Sequence, residues 1–307
     1  MNILLINDTK AGHYSQGIAL ASELSRQLDI SIVEININEI HKISNLEGKC
    51  IIIGVGHASH TAMIKIKEIL SNTNECFTIA VFRPSFKQDI FDLIVAPEHD
   101  FINKRIPNNC FLYKGSLSKI SNQNPDTSLI AISIGGPNTN IVYDKAMVIK
   151  SIEYVLGIFP EKRKIVSNSR RTPRDLWDDL KNRNQDGQQI KFLDHESISY
   201  TEYYDATSHA YKKFVTPDSI NLIFESLSAK GETYIMQVNQ NKKALKDYFY
   251  TNKHKYVIDN LINSKNVGSV TVNKNKCELI DPNKGLKPLQ EIKRVSLYIS
   301  NKIYNHA

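Results

Sequence analysis

The sequence predicts an α/β protein made of two Rossmann-like, doubly wound domains that face a cleft, with an amphipathic helix at the C-terminus. The length of 307 residues exceeds that of a usual single domain. Short apolar runs alternate with helical patterns, which is typical of parallel sheets. A polar stretch from Ser116 to Asp126 divides this alternation into two series. We therefore expect domains at 1–120 and 121–287, and a helix at 288–307 that packs back on the first domain.

The first series contains short apolar runs separated by helical stripes. Ile18, Ala21, Leu24 and Leu28 share one helical face after the first strand, and Ala62, Ile66 and Ile69 or Leu70 form a second stripe. The predicted strands are 2–7, 30–37, 50–55, 76–82, 91–96 and 109–114.

The second series repeats the pattern and ends in a long amphipathic helix. Leu289, Ile292, Val295, Ile299 and Ile303 recur at helical spacing over 288–303. The predicted strands are 128–134, 163–168, 190–194, 212–217 and 233–238, and the predicted helices lie near 144–156, 173–181 and 219–228.

Composition and charge restrict the class of partner. The net charge is +7 and the pI about 9.0, but the lysines are scattered, which favours an anionic ligand or an anionic membrane surface over a nucleic-acid groove. We expect no nucleic-acid partner. No signal sequence or membrane-spanning run is evident, so we expect a cytoplasmic protein, with peripheral attachment to the inner membrane left open. The cysteines Cys50, Cys76, Cys110 and Cys277 are widely spaced, and we expect reduced core residues.

Ligands of doubly wound sheets bind beyond the carboxyl ends of the strands, so the loops there hold the candidate site residues. After the first strand, Asp8 or His13 is the candidate general base, and Gly12 allows close approach of an anion or a sugar. The alternative is a glycine-containing turn with an exposed histidine.

Two more loops of the first series carry histidines and carboxylates. The segment 54–60 matches only part of the dinucleotide fingerprint, because the third glycine and the later acid are missing. His57 and His60 also suggest a metal, but no third ligand is evident. Glu98, His99 and Asp100 either hold an acceptor, supply acid–base chemistry, or hydrogen-bond within their own turn.

In the second series, Gly135 and Gly136 follow the first strand and allow backbone N–H groups to approach a phosphate. Arg170 and Arg171 precede a predicted helix start, with Thr172 as N-cap and Pro173 at the first helical position. Two planar cations there favour an anion, although a surface turn with two exposed arginines is the alternative.

The segment from Thr216 to Glu225 reads as a strand end, a tight turn and an amphipathic helix. Asp218, Asn221 and Glu225 form a polar line on a different face from the apolar stripe. This arrangement suits a nucleotide, with Glu225 on the ribose diol, or an ordinary capped helix. Since no Asp-x-Asp occurs, we expect no divalent metal and no cofactor, and arginines would neutralise the phosphate instead.

Taken together, these loops resemble bacterial members of the elongated-mitochondria fission-protein family over residues 1 to about 240. Two segments depart from the family pattern: Ile220–Leu222, and Thr201–Tyr204 before the fourth strand. The matching segments are Asp8-x-x-x-Gly12-His13-x-x-Gln16, Gly56-His57-Ala58-x-His60, Phe91 to Asp100, Gly115, Gly135-Gly136-Pro137, Ser169-Arg170-Arg171-Thr172-Pro173, and Thr216-x-Asp218-Ser219 through Glu225.

The resemblance implies a glycosyltransferase-B-like fold and metal-independent transfer from a nucleotide-sugar to a glycan or glycolipid acceptor, in cell-envelope glycan or lipopolysaccharide assembly. The alternatives are a nucleotide-sugar epimerase or hydrolase of the same fold, and a non-catalytic recruitment protein. The implied catalytic residues are Asp8 and His13. The implied donor-binding residues are Gly135, Gly136, Ser169, Arg170, Arg171, Thr172, Asp218, Ser219 and Glu225. The implied acceptor-side residues are Gly12, Gln16, His57, His60, Glu98, His99 and Asp100.

Overall fold

Parallel strands and helices alternate through most of the computed structural model. The structure describes residues 1–45, 48–70, 75–120, 123–138, 141–184, 189–238, 252–273 and 276–306. The chain divides into two units, which we call unit 1 (Met1–Lys119 with Gln290–Ala307) and unit 2 (Ile120–Leu289). Each unit is organised around its own sheet.

The sheet of unit 1 is parallel throughout its described strands. Its order is β2-β1-β3-β4-β5-β6, and all the strands predicted for the first series are confirmed. The inner strands have buried apolar cores such as Ile51–Ile53, as expected for strands covered on both faces, whereas the two edge strands are more exposed. The strands are β1 (Asn2–Asn7), β2 (Ser31–Asn36), β3 (Cys50–Val55), β4 (Cys76–Val81), β5 (Leu93–Pro97) and β6 (Cys110–Tyr113).

Two helices follow strands of this sheet, α1 (Ala11–Leu28) and α2 (Gly56–Leu70). Ala21 and Leu24 of α1 are buried, as the predicted stripe requires. In α2 the alternative between Ile69 and Leu70 is resolved, because Leu70 is buried and Ile69 is 44% exposed. Both helices begin within a few residues of a strand end, so their first turns lie at the carboxyl edge of the sheet.

The sheet of unit 2 extends further than the sequence predicted. Its order is β13-β12-β11-β10-β7-β8-β9, parallel except for the antiparallel pair β12–β13. The five predicted strands are confirmed, whereas β12 and β13 were missed. The strands are β7 (Asp126–Ser133), β8 (Arg163–Ser167), β9 (Ile190–Leu193), β10 (Ala210–Val215), β11 (Glu232–Met236), β12 (Gly268–Asn273) and β13 (Lys276–Ile280).

The predicted helices of unit 2 are present as α3 (Lys145–Ile158), α4 (Arg174–Arg183) and α6 (Ile220–Ser228). Within the described residues of unit 2, two further helices were missed, α5 (Tyr200–His209) and α7 (Asn252–Asn263). The start of α5 carries a sequence signal, since Ser199 and Glu202 form a capping box in which each side chain bonds the other residue's backbone N–H.

The C-terminal helix α8 spans Glu291–His306 and belongs to unit 1. Its Val295 and Ile299 are buried, and Ser296 and Ser300 both hydrogen-bond the side chain of Gln27 on α1. It begins three residues later than predicted, and the N–H of Leu289 before it bonds the Leu227 carbonyl oxygen. Among the helices described in the structure, none is long and apolar enough to cross a membrane.

Candidate functional site

In unit 1 the order of the strands reverses between β1 and β3, since β2 lies on one side of β1 and the later strands on the other. Such a switch point leaves a crevice at the carboxyl edge where ligands of doubly wound sheets bind. The loop from Asp8 to Lys10 and the first turns of α1 and α2 meet this crevice.

At this edge His13 and Asp8 form a hydrogen-bonded pair. Nδ1 of His13 lies 2.7 Å from Oδ2 of Asp8, and the other carboxylate oxygen accepts the backbone N–H of Lys10 at 3.2 Å. The Asp8 side chain is 3% exposed, whereas that of His13 is 25% exposed. A carboxylate that holds Nδ1–H leaves Nε2 to accept a proton. Of the two candidate bases, the geometry favours His13, with Asp8 orienting it.

The imidazole of His13 is held on two other sides. Its ring meets that of Phe82 edge-on, with centroids 5.5 Å apart. Gly56, with a φ of 80°, lies so close that a Cβ there would overlap the ring. Thr9 and Phe82 both adopt left-handed backbone conformations, at φ 65° and 71°, and flank the pair. Left-handed non-glycine residues are costly and concentrate at functional sites.

The two histidines at the start of α2 lie in different surroundings. His57 is exposed, its Nδ1 lies 2.9 Å from the Ser85 hydroxyl, and its ring meets that of Phe86 edge-on. His60 is 1% exposed and donates from Nε2 to the Val81 carbonyl oxygen at 2.9 Å. Burial lowers the pKa of His60 to about 4, so its ring is neutral. The prediction that His60 lines an acceptor surface is corrected, because its side chain lies in the core.

Gln16 is a second correction. It is 3% exposed, and its Oε1 accepts the Tyr113 hydroxyl at 3.2 Å and the Leu117 N–H at 3.1 Å. These bonds join α1 to the end of β6 and the segment after it, so the amide is a structural link. Gly12, by contrast, is exposed in the first turn of α1.

The segment after β5 forms a short 3₁₀ turn over Glu98–Asp100. Asp100 Oδ2 accepts the backbone N–H of Arg83 at 3.2 Å, which ties this turn to the loop after β4. Glu98 is exposed and His99 is partly exposed. The hydrogen bond between these two loops therefore explains the position of Asp100. Contact of Glu98 and His99 with a sugar acceptor remains a prediction.

In unit 2 the strand order reverses between β7 and β10, and the loops after both strands meet there. Asp218 lies in the loop after β10, and its side chain has no exposed surface. Its carboxylate accepts hydrogen bonds from Gly136 N–H (3.1 Å), Thr216 Oγ1 (2.7 Å), Arg171 Nη2 (2.6 Å) and the Tyr143 hydroxyl. With all these donors bound, Asp218 joins the loops after β7, β8 and β10.

Both glycines of the predicted phosphate loop are needed for this packing. A Cβ at Gly135 would overlap the Asp218 carboxylate, and a Cβ at Gly136 would overlap the Arg171 carbonyl oxygen. The Gly135 N–H donates to Thr216 Oγ1 at 2.7 Å. Both N–H groups already bond protein oxygens, so contact of this glycine pair with a nucleotide-sugar remains a prediction. The close approach of other protein atoms is by itself enough to require glycine at both positions.

The arginine loop differs from the prediction at its helix start. Helix α4 begins at Arg174, and Pro173 occupies the N-cap position without a side-chain hydrogen bond. The predicted N-cap role of Thr172 is wrong, because its Oγ1 lies 2.5 Å from the Gly135 carbonyl oxygen and accepts the Ser169 N–H at 2.9 Å. Thr172 therefore links the loop after β8 to the loop after β7, which contains Gly135 and Gly136. Ser169 Oγ accepts the Arg171 N–H at 3.3 Å.

The two arginines themselves are not equivalent. Arg171 is exposed, with 45% of its side chain accessible, but its guanidinium is bound to Asp218. Arg170 is exposed and makes no hydrogen bond or ion pair with the part of the chain that the structure describes. A free guanidinium is the better partner for an incoming phosphate, so the geometry favours Arg170 for that contact.

Helix α6 begins at this edge with Ser219 as its N-cap, whose hydroxyl accepts the Leu222 N–H at 3.4 Å. Glu225 lies six residues after this N-cap, 9% exposed, with Oε2 3.3 Å from the Tyr203 hydroxyl of α5. Burial raises the pKa of Glu225 to about 7, opposed by the hydrogen bond from Tyr203. A buried carboxyl that is only weakly satisfied is able to take a ligand hydroxyl.

Several residues around Asp218 were not identified from the sequence. The Asn138 amide donates to the Asp218 carbonyl oxygen at 2.8 Å. Burial lowers the pKa of His254 of α7, whereas the nearby Asp218 backbone and charge raise it. The Nε2 atom of His254 is buried with no hydrogen-bond partner among the described residues. Thr216 stood in a matching segment of the sequence but had no assigned role, whereas Tyr143 and His254 carry no local signal.

The described residues contain no group of three or more histidine, cysteine, aspartate or glutamate side chains arranged to hold a metal ion. The mixed α/β fold with parallel sheets and a terminal helix is the predicted class. A putative UDP-N-acetylglucosamine 2-epimerase from Listeria monocytogenes superposes with a TM-score of 0.53 at 10% identity, over 85% of this chain and 86% of that one. At such identity the likeness shows the fold alone.

The UDP-GlcNAc 2-epimerase of Methanocaldococcus jannaschii gives a TM-score of 0.48 at 11% identity, over 98% of this chain and 100% of that one. Uncharacterized protein RP120 of Rickettsia prowazekii (strain Madrid E) is 22% identical over 326 residues, covering 86% of this chain and 89% of the relative. A sequence profile described as mitochondrial fission ELM1 matches residues 11–302. Because that match spans almost the whole chain, the protein belongs to the mitochondrial fission ELM1 family.

Proposed function

We propose that this protein is a metal-independent glycosyltransferase that uses a nucleotide-activated sugar. The observation that carries the proposal is the Asp8–His13 pair, a buried carboxylate 2.7 Å from a partly exposed imidazole at the switch point of unit 1. A protein that only recruits partners has no need of an oriented base in a ligand crevice.

In this proposal unit 2 holds the donor. Arg170 binds the diphosphate and neutralises the charge that develops on the leaving nucleotide, the role that a metal ion has in other transferases. Arg171 remains on Asp218 and fixes the loop from which Arg170 projects. Glu225 accepts a ribose hydroxyl at the first turns of α6.

Unit 1 holds the acceptor. Nε2 of His13 takes the proton of the acceptor hydroxyl, whose oxygen then bonds the anomeric carbon of the sugar as the nucleotide leaves. Asp8 stabilises the imidazolium that results. His57, Glu98 and His99 contact the acceptor beside His13. We further propose that the acceptor is a glycan or glycolipid of cell-envelope or lipopolysaccharide assembly. The net charge of +7 supports only the part of this proposal that places the protein at an anionic inner membrane.

The donor site is tested by thermal denaturation of the full chain with UDP-, GDP-, ADP- and CMP-sugars. At least one donor should raise the melting temperature in proportion to the logarithm of its concentration. Arg170→Ala should weaken this effect at least tenfold in apparent Kd, whereas Arg105→Ala, another exposed arginine, should leave it unchanged. If no nucleotide-sugar stabilises the chain, the proposal is wrong.

An epimerase or hydrolase is the second candidate, since the fold that this chain shares with the Listeria protein is compatible with either reaction. Incubation of the protein with the nucleotide-sugar in the absence of an acceptor distinguishes the two kinds of enzyme. A transferase leaves the donor intact, whereas an epimerase or hydrolase converts it. Recovery of a protein partner together with failure to bind any nucleotide would instead support the recruitment alternative.

A further inference from the structure

Two cysteines lie side by side in the sheet of unit 1, away from the candidate site. Cys50 opens β3 and Cys76 opens β4, and their Sγ atoms are 3.0 Å apart. We propose that Cys50 and Cys76 form a reversible thiol–disulfide pair, a modification site that reacts with small hydroperoxides.

The backbone already holds the two residues at a distance that a disulfide requires. Cys50 and Cys76 are register partners in a parallel pair of strands, so both side chains point to the same face of the sheet. Neighbouring strands lie about 4.8 Å apart, within the Cα–Cα range of about 4.4–6.8 Å found for disulfides. Closing the bond therefore needs side-chain rotation and no rearrangement of the strands.

The pair is also asymmetric in exposure and acidity. Cys50 is 4% exposed, whereas Cys76 is partly exposed. The hydrogen bond with Cys50 lowers the pKa of the Cys76 thiol, burial opposes this, and the charges of Lys67 and Asp92 act in opposite directions. The same hydrogen bond and burial raise the pKa of Cys50. Since a peroxide can reach the partly exposed Cys76, its thiolate reacts first, and the buried Cys50 is the one that resolves.

The chemistry balances in two steps. The Cys76 thiolate attacks the distal oxygen of a hydroperoxide, the O–O bond breaks, and the alkoxide leaves and takes up the thiol proton, giving a Cys76 sulfenic acid and an alcohol. The Cys50 sulfur then attacks the Cys76 sulfur, the S–O bond breaks, and water leaves with the Cys50 proton. The two thiols lose two electrons and the peroxide gains them. An external dithiol reverses the change.

The test uses the full chain, reduced, desalted and treated with hydrogen peroxide at a low molar excess. Intact mass should fall by two hydrogens, and two of the four thiols should be lost to a thiol reagent under denaturing conditions. Peptide mapping should find Cys50 linked to Cys76, and dithiothreitol should restore both. This experiment needs no substitution, so it does not depend on whether a variant folds.

Two variants sharpen the result. The double variant Cys110→Ser, Cys277→Ser keeps the pair and should still lose two hydrogens. Cys50→Ser lacks the resolving thiol and should accumulate a sulfenic acid on Cys76, trapped by dimedone, in place of the disulfide. The proposal is overturned if the treated wild-type chain keeps its four thiols, gains oxygen without forming the bond, or links Cys110 or Cys277 instead.

Discussion

Arg171 donates a hydrogen bond of 2.6 Å from Nη2 to Oδ2 of Asp218, a carboxylate with no exposed surface, whereas the neighbouring Arg170 extends into solvent. The two adjacent arginines therefore have different roles. Arg171 stabilises the junction of three loops in the ligand-free protein, and Arg170 remains available for an anion.

Arg171→Ala should lower the free energy of unfolding by about 2 kcal/mol, because it leaves the Asp218 carboxylate buried without its counter-ion. The cost lies below that of a fully buried pair because the guanidinium is half-exposed. Arg170→Ala is the matched control and should change the free energy by less than about 0.5 kcal/mol. Urea denaturation of both variants measures the difference, and equal effects would show that the ion pair does not stabilise the fold.

Gly136→Ala should disrupt the same junction from the other side. A Cβ there would overlap the carbonyl oxygen of Arg171, which is backbone and has little freedom to move. We expect a loss of about 3 kcal/mol, as found for overpacked core sites. Gly157→Ala in α3 adds the same methyl group where no atom lies within 4 Å, and should be neutral or slightly stabilising. Melting temperatures compare the two, and a wild-type value for Gly136→Ala would contradict this packing.

Gly56→Ala should displace the His13 imidazole, because a Cβ at Gly56 would occupy the place of the ring. Gly48→Ala is the control, since Gly48 has a similar φ of 86° but no atom within 4 Å of the new methyl group. Both changes bring backbone strain of about 1 kcal/mol or more. Only Gly56→Ala should shift the imidazole nitrogen resonances of His13 in ¹⁵N spectra. If the two variants leave these resonances equally unchanged, His13 does not pack against Gly56.

The positions of the main elements could be predicted because each depends on a local pattern. Buried strands such as β3 are uninterrupted runs of apolar residues, and the stripe of α8 repeats every three or four residues. The missed helix α5 has low hydrophobic periodicity, and its capping box was the only local signal. The antiparallel pair of β12 and β13 mixes polar and apolar residues, which hides it in a search for apolar runs.

The candidate site was harder to predict, because its bonds join residues far apart in sequence. Asp218 bonds Arg171 and Tyr143, which lie 47 and 75 residues earlier, and no local pattern links them. The error at Thr172 has the same origin: its hydroxyl has a local partner in Ser169 but also reaches the carbonyl oxygen of Gly135 on another loop. Likewise, nothing near His60 in sequence shows that its ring packs against Phe91.

Glu225 makes the stability of the protein depend on pH. Its pKa is about 7 in the folded protein, against an ordinary value of 4.5, so the folded state keeps a proton that the unfolded state has lost between these pH values. The free energy of unfolding therefore falls as pH rises from about 4.5 to about 7, and the full cost is present above 7. Glu225→Gln has no carboxyl group to ionise at this position and therefore lacks this pH-dependent cost. Relative to wild type it should gain up to about 3 kcal/mol by pH ~8 and nothing at pH ~4.5.

The same carboxyl should make nucleotide binding depend on pH in the opposite direction. An ionised carboxylate is the stronger acceptor for a ribose hydroxyl, so donor affinity in the wild-type protein should rise as pH passes 7. Glu225→Gln should bind more weakly and show no such rise. Glu161→Gln, at an exposed position, is the control for both measurements. If urea denaturation and donor titration of Glu225→Gln follow the wild-type pH profiles, Glu225 neither titrates near 7 nor contacts the ribose.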